Sequence, residues 1–342
     1  MLNKLVLKLP YKPEALLNPQ AYLHKPPKVE LVQTQMSFLF LTGEYVYKVK
    51  KPVNLGYLDY TTLKQRCFFC HQELELNRRL CPDVYLAVVP ITESRQLSAI
   101  SYQFEGKGKT IEYAVKMRQL PQDRMLDVLL PQSKVTKEMI AKVAKKLVDF
   151  HQKAETSSEI AAFGKLNIIR QNWDENFTQT EKYIDLSIPR LSYDHIKSYT
   201  EDFIRNNISL FDKRVKEGKI RDCHGDLHAA HICFTDGICI YDCIEFNDRF
   251  RYSDVASEIA FLAMDLDRYQ QAGLSRHLVN SYVGLSHDEE LLKLLDFYKC
   301  YRAYVRGKVE SFKLDDPYIP EEEKARVLTA ARSYFQLAES YV

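Results

Sequence analysis

The sequence predicts an α+β protein of two lobes: a small antiparallel-sheet lobe with one main helix, then a larger, mostly helical one. Three observations predict it. At 342 residues the chain is long for a single hydrophobic core. Runs of β-branched and aromatic residues cluster before position 120. Beyond Pro121 apolar residues recur at helical spacing instead. The boundary is placed accordingly, with an N-terminal lobe of residues 1–120 and a C-terminal lobe of residues 121–342.

Residues 1–30 carry Pro10, Pro13, Pro19, Pro26 and Pro27 and read as an irregular lead-in packed on the first lobe. Residues 29–41 and 44–50 read as two strands around Thr42-Gly43. A two-residue turn there pairs Leu41 with Glu44 and Ser37 with Lys48. Lys48 is a charge among β-formers and needs a partner, unless it lies on an edge strand; Lys50 and Lys51 are expected in solvent. Pro52 breaks the strand. Residues 62–80 form a helix bearing Glu73 and Glu75, with Phe68, Phe69 and Leu76 toward the core, stopped by Cys81-Pro82. Strands follow at 84–90, 97–104 and 110–120. Gly106-Lys107-Gly108-Lys109-Thr110 ends like a P-loop, but Gln103 stands where that motif needs glycine, so it reads as a hairpin turn.

In the second lobe Thr136 is the expected N-cap of a helix whose core stripe is Met139, Ile140, Val143, Leu147 and Phe150. Trp173 and Phe177 look like packing anchors, and one helix over 199–217 closes at Gly218. Asp254 can cap a helix over 255–266 with an apolar face of Ile259, Leu262, Ala263 and Leu266. Leu291, Leu294, Tyr298, Tyr301, Val305, Val309 and Phe312 make a last buried stripe. Its basic flank, Lys299, Arg302, Arg306 and Lys313, is a solvated face or, if substrate enters there, a seat for an anionic acceptor.

Composition narrows the partners. Hydrophobic residues at 46% and charged residues at 27% describe an ordinary globular protein. A net charge of +2 argues against nucleic-acid binding by bulk charge. No apolar run reaches the roughly 18 residues of a membrane helix. Lys8 falls where a signal peptide would stay apolar, so a cytoplasmic protein with no membrane partner is expected. Cys67-Phe68-Phe69-Cys70-His71 matches the c-type haem pattern but falls in a helical run of a chain read as unexported. The eight cysteines are therefore expected as buried free thiols.

The chemistry concentrates between Cys223 and Asp242. Residues 232–234 and 238–241 read as a hairpin around Asp236-Gly237. A two-residue turn there sets Thr235 opposite Ile238, Phe234 opposite Cys239 and His231 opposite Asp242, with Cβ atoms roughly 5 Å apart. Asp226 follows Gly225 in a tight loop, placed to accept a hydroxyl proton; Asp242 ends a strand and can hold a divalent cation. With a strand lysine for phosphates and a helix glutamate to fix it, these are the parts of kinase-type phosphoryl transfer.

On these motifs the sequence resembles the aminoglycoside phosphotransferase and choline-kinase-like family, which has the protein-kinase-like fold. More narrowly it resembles an uncharacterised branch often fused to a P-loop kinase domain. The resemblance runs from about Val29 to Phe312, and the family's His-Gly-Asp-x-His-x-x-Asn loop is matched by His224-Gly225-Asp226-Leu227-His228-Ala229-Ala230-His231. It implies Asp226 as catalytic base, Asp242 as principal metal ligand, Lys48 as the nucleotide-phosphate lysine and Glu73 as its partner. Residues 33–37, Ser37 included, would cover the phosphates; Met117 and Gln119 would lie in the hinge that holds adenine; Asp254 would support the catalytic loop. His231 departs from the family's Asn, and an imidazole nitrogen favours Mn²⁺ over Mg²⁺ as second-ligand chemistry. The implied activity is ATP-dependent transfer of the γ-phosphoryl group to a small-molecule hydroxyl acceptor, with ATP and Mg²⁺ or Mn²⁺ as cofactors. Two alternatives stay open: a nucleotide-binding regulator with little transferase activity, suggested by His231, and a metal-dependent hydrolase using His224, Asp226, His228 and His231.

Overall fold

The computed structural model describes residues 5–6, 9, 11–96, 99–316 and 319–342. Lys8, Pro10 and the expected strand start at Leu97 lie outside them. The chain divides into two units, residues 1–125 with 232–248, and residues 126–231 with 249–342.

The first unit runs β1 (Leu5–Val6), β2 (Glu30–Gln33), β3 (Ser37–Leu41), β4 (Tyr45–Lys50), β5 (Val53–Asn54), α1 (Leu63–Arg78), β6 (Tyr85–Gln96), β7 (Ala99–Phe104) and β8 (Lys109–Arg118). Six strands pair antiparallel in the order β2-β3-β4-β8-β6-β7, and β1 pairs with β5. The single strand expected over 29–41 is two, because Thr34 Oγ1 accepts the Ser37 N–H at 3.0 Å and turns the chain. The next turn is longer than two residues. Thr42 N–H donates to the Tyr45 carbonyl at 2.9 Å, so Leu41 faces Val46 and Ser37 faces Lys50. The shift is even, which keeps every side chain on its expected face. The Gly106–Gly108 segment is not a hairpin turn: it carries the chain from β7 to β8 past β6, which lies between them. A Cβ at Gly108 would stand 2.2 Å from the Glu93 carbonyl oxygen, so only glycine passes there.

β4 is therefore an interior strand, and its two faces differ. Tyr47 and Val49 join Phe40, Phe104 and Ala114 in an apolar cluster closed by Tyr11, Leu16 and Tyr22 of the lead-in. Lys48 and Lys50 project from the other face, toward α1. That helix opens with a capping box: Thr62 Oγ1 accepts from Gln65 N–H at 3.2 Å, and Gln65 Oε1 accepts from Thr62 N–H at 3.1 Å. Its buried face runs through Arg66, Cys70, Glu73, Leu76 and Asn77. Phe68, expected in the core, lies off that face and is 56% exposed. Cys81 and Cys239 are a disulfide and not free thiols, their Cα atoms 4.8 Å apart, within bonding range.

The second unit begins with α2 (Leu126–Leu129), α3 (Lys137–Lys153), α4 (Ser158–Ala161), α5 (Leu166–Thr180), α6 (Arg190–Asn206), α7 (Ile208–Lys216) and β9 (Ile220–Asp222). The chain then adds the hairpin β10 (Ile232–Phe234) and β11 (Ile238–Ile240) to the first unit. It continues through α8 (Asp248–Arg251), β12 (Tyr252–Asp254), α9 (Val255–Arg268), α10 (Ala272–Ser286), α11 (Leu291–Lys313) and α12 (Glu321–Glu339). Thr136 caps α3 through the Met139 N–H at 3.2 Å, and Trp173 stacks on Phe177 at 5.3 Å, both as expected. The single helix expected over 199–217 breaks at Asn207, which leaves the helical region and bonds its own side chain back to the Phe203 carbonyl at 2.9 Å.

Asp254 caps α9 through the Ala256 N–H at 2.8 Å, and α9 is buried from Val255 to Leu266. The expected stripe of α11 holds at Leu291, Leu294 and Tyr298, then drifts outward, so Val309 and Phe312 are exposed. Lys299 and Arg302 are buried and not on a solvated face, because α9 and α12 both pack on α11. Among the described residues no helix is long and apolar enough to cross a membrane.

Candidate functional site

Two polar clusters hold the residues singled out in the sequence, one in each unit. In the first unit Lys48 Nζ stands 2.8 Å from Glu73 Oε1 and 2.6 Å from Asp242 Oδ1. Glu73 is fully buried, and its other oxygen lies 2.7 Å from Lys50 Nζ. Lys50, expected in solvent, is 1% exposed and also pairs with Glu245. Tyr60 donates its hydroxyl to Glu245 Oε1 at 2.6 Å and sets its ring 4.9 Å from the Lys50 ammonium. Burial works to deprotonate both lysines. For Lys48 the charges of Asp242 and Glu73 outweigh it, for Lys50 those of Glu245 and Glu73, and both pKa values end well above the ordinary lysine range. Burial likewise pushes Glu73 up, but Lys48 and Lys50 prevail and lower it.

Asp242 adopts left-handed backbone geometry, with φ at 63°, and its side chain, 41% exposed, is open to solvent. The segment is held from both sides: Asp242 N–H donates to the Tyr85 hydroxyl at 3.3 Å and Cys243 N–H to Asn77 Oδ1 at 2.9 Å. The hairpin before it is one residue out of the expected register. Phe234 faces Ile238, Cys233 faces Cys239 and Ile232 faces Ile240, which leaves a three-residue loop. Thr235 Oγ1 accepts the Gly237 N–H at 3.4 Å inside that loop and displaces the favoured Asp-Gly turn. His231 precedes the ladder in the 3₁₀ turn Ala229–His231, so the expected cross-strand pair with Asp242 does not form. Of the other expected nucleotide contacts, Ser37 is buried opposite Lys50 and Met117 lies on β8 opposite Val46. Gln119 donates its N–H to the Glu44 carbonyl at 2.9 Å and accepts from Gly43 N–H at 3.0 Å.

In the second unit the loop around Asp226 hangs on α9 and α11. His224 N–H and Gly225 N–H both donate to Glu258 Oε1 at 2.8 Å, and Ala229 N–H donates to Asp265 Oδ2 at 2.8 Å. Arg302 Nη1 donates to the Gly225 carbonyl at 3.1 Å. Gly225 has φ at 88°, a conformation that disfavours a side chain. The Asp226 carboxylate, 31% exposed, lies 3.6 Å from both His228 Nε2 and His231 Nδ1. Burial pushes the Asp226 carboxyl up; His228, His231 and Arg306 outweigh it and hold it well below the usual carboxylate range. His231 Nδ1 is also 2.9 Å from the Asp226 carbonyl oxygen. A carbonyl only accepts, so Nδ1 carries the proton in that bond. Asp226, His228 and His231 offer ligand atoms within 4.8 Å of one another, a group that His224 does not join.

Sequence reasoning missed Glu258, Glu245 and Tyr60. Glu258 had a signal, since an acid within the largely apolar run from Val255 to Leu266 needs buried donors. Burial pushes its pKa up, but hydrogen bonding and charge from His151, the charge of His224 and the Gly225 N–H bring it down to about 2. A depressed pKa contributes stability that is full above the unfolded value of 4.5 and fades as pH falls toward about 2. Urea midpoints measured across that window should fall less steeply for Glu258→Gln than for the parent protein. Equal slopes would show that Glu258 is not the group being protonated.

No protein-family model matches the chain. Two curated relatives, the uncharacterised proteins Mb2027c of Mycobacterium bovis and Rv2004c of Mycobacterium tuberculosis, are each 31% identical over 285 residues, 83% of this chain and 55% of theirs. The chain thus spans about half the length of the curated relatives it matches. Among solved structures, a choline/ethanolamine kinase family protein from Mesorhizobium loti superposes with a TM-score of 0.50 and 12% identity, over 96% of this chain and 98% of that one. The likeness is one of fold: an antiparallel-sheet lobe and a helical lobe of the protein-kinase-like kind.

Proposed function

We propose, for a chain with the fold of a choline/ethanolamine kinase family protein, that it is an ATP-dependent phosphotransferase of the aminoglycoside phosphotransferase and choline-kinase-like family. It would move the γ-phosphoryl group to a hydroxyl of a small molecule. The observation that carries this reading is Lys48, held between buried Glu73 and open Asp242. Lys48 binds nucleotide phosphates, Glu73 fixes the ammonium, and Asp242 supplies a hard oxygen ligand for a divalent cation. The donor set fits such an ion, since two ammoniums, Lys48 and Lys50, face three carboxylates, and the surplus negative charge includes the solvent-open Asp242. Bound metal-nucleotide supplies the phosphoryl group and neutralises its charge. Asp226, ionised at neutral pH, accepts the acceptor's hydroxyl proton. Ser37, Met117 and Gln119 line the nucleotide in this proposal, within a nucleotide-binding lobe of residues 1–120.

The reading is tested by nucleotide-dependent thermal shifts followed by transfer from ATP to a library of small hydroxylated compounds. Absence of both a nucleotide-dependent shift and transfer would sink it. In this proposal His231 is the second metal ligand, through Nε2, since Nδ1 faces the Asp226 carbonyl oxygen. His231→Asn should then move the Mn²⁺/Mg²⁺ activity ratio toward Mg²⁺ at saturating metal. An unmoved ratio would remove His231 from the ligand set. A second reading, a metal-dependent hydrolase, has the Asp226, His228 and His231 group in its favour. Metal analysis of protein purified without chelator separates the two: stoichiometric zinc favours the hydrolase, its absence the kinase.

A further inference from the structure

We propose that Lys50, Glu245 and Tyr60 form an inner ion-pair layer that positions Glu73 and the Asp242 segment, and so fixes where the Lys48 ammonium stands. The inference rests on the phosphotransferase reading and adds three positioning residues to it. A single Lys–Glu pair fixes one oxygen of the carboxylate and leaves it able to pivot. Here each Glu73 oxygen has its own lysine, Lys48 at 2.8 Å and Lys50 at 2.7 Å, so the carboxylate is held at two points. Lys50 in turn grips Glu245, three residues beyond Asp242. The ion pairs run Asp242, Lys48, Glu73, Lys50, Glu245, and the backbone from 242 to 245 closes them into a ring. Any displacement of Asp242 is therefore felt at Glu73 along two routes.

Tyr60 locks the inner side of this ring. Its hydroxyl donates to Glu245 at 2.6 Å, and its ring belongs to a small apolar cluster with Val53, Leu55 and Leu58, against which Phe246 packs. The Lys50 ammonium is thus held in a dry setting, where moving it away from its two carboxylates would cost a buried unpaired charge. Burial disfavours its charge, and the pull of Glu245 and Glu73 keeps it protonated. Rearrangements that would let Lys48 swing are excluded by the same cost.

Lys50→Met alone leaves two buried carboxylates short of a partner and could fail to fold, so two other variants carry the test. Tyr60→Phe deletes one hydroxyl and keeps the ring. Lys50→Met with Glu245→Gln removes one charge of each sign together. Calorimetry compares the affinity of each for ATP with Mg²⁺ and for adenosine, which lacks phosphates, beside kcat and the melting temperature. Expected are an affinity loss for ATP of about threefold or more in Tyr60→Phe and a kcat loss of about tenfold or more in the double variant. Adenosine affinity should stay within about twofold of the parent in both. Equal losses for ATP and adenosine, or parent-like values throughout, overturn the positioning role. If the double variant does not melt cooperatively, Tyr60→Phe decides alone. A parent protein that binds neither nucleotide nor adenosine overturns the kinase reading itself, a failure visible before any variant is made.

Discussion

Asp226→Asn should leave the fold and ATP binding intact and lower turnover by about 10² or more, the range for losing a positioned general base. That loss corresponds to about 2.7 kcal/mol of barrier. The substitution is nearly isosteric, and the hydrogen bonds that hold the loop backbone do not use the carboxylate that loses its charge. Glu258 takes the N–H groups of His224 and Gly225, Asp265 that of Ala229, and Arg302 the Gly225 carbonyl. His231 bonds the Asp226 backbone oxygen, which asparagine retains. A variant with unchanged melting temperature and KM for ATP but collapsed kcat is the expected result. Unchanged kcat would sink the kinase assignment.

Lys48→Ala should cost about 10² to 10³ in kcat/KM for ATP, as when one preorganised donor to a charged transition state is lost. Glu73→Gln should copy part of the defect. Because both act through one ammonium position, the double variant should be no worse than the more damaging single one; fully additive losses would show that they work apart. The two singles should differ in stability. Removing Lys48 leaves Glu73 with Lys50 and leaves Asp242 open to water, whereas Glu73→Gln strips a buried partner from both lysines. A larger drop in melting temperature for Glu73→Gln is therefore expected.

What the sequence disclosed was local. The Thr136 and Asp254 caps follow from side chains reaching N–H groups two or three residues on. The Lys48–Glu73 pair follows from the family resemblance, although a charge among β-formers already demands some partner. What stayed hidden depends on neighbours distant in the chain. Lys50 reads as solvated until the sheet order shows β4 flanked by β3 and β8. Lys299 is buried because α9 and α12 pack on α11, and Asp267 of α9 meets its charge at 2.8 Å. Cys81 and Cys239 are separated by 158 residues, and no spacing announces the pair. The hairpin register failed for a local reason, a threonine hydroxyl competing with a favoured turn, which propensity alone cannot rank.

Lys48 and Asp242 already satisfy each other at 2.6 Å. In the proposed reaction one is meant for an anion and the other for a cation, so this ion pair is a latch between two ligand-binding groups. A cation that claims Asp242 releases the ammonium, and a phosphate that claims Lys48 releases the carboxylate. Each ligand therefore does the other's opening work. Thermodynamic reciprocity then requires the cation to tighten nucleotide binding by the same factor as the nucleotide tightens cation binding, typically about 5- to 150-fold for coupled sites. Calorimetric titration of ATP with and without Mg²⁺, compared with metal–ATP complexation in solution, reads that factor. Lys48→Ala, which breaks the latch, should shrink it toward the value set by metal–ATP complexation in solution.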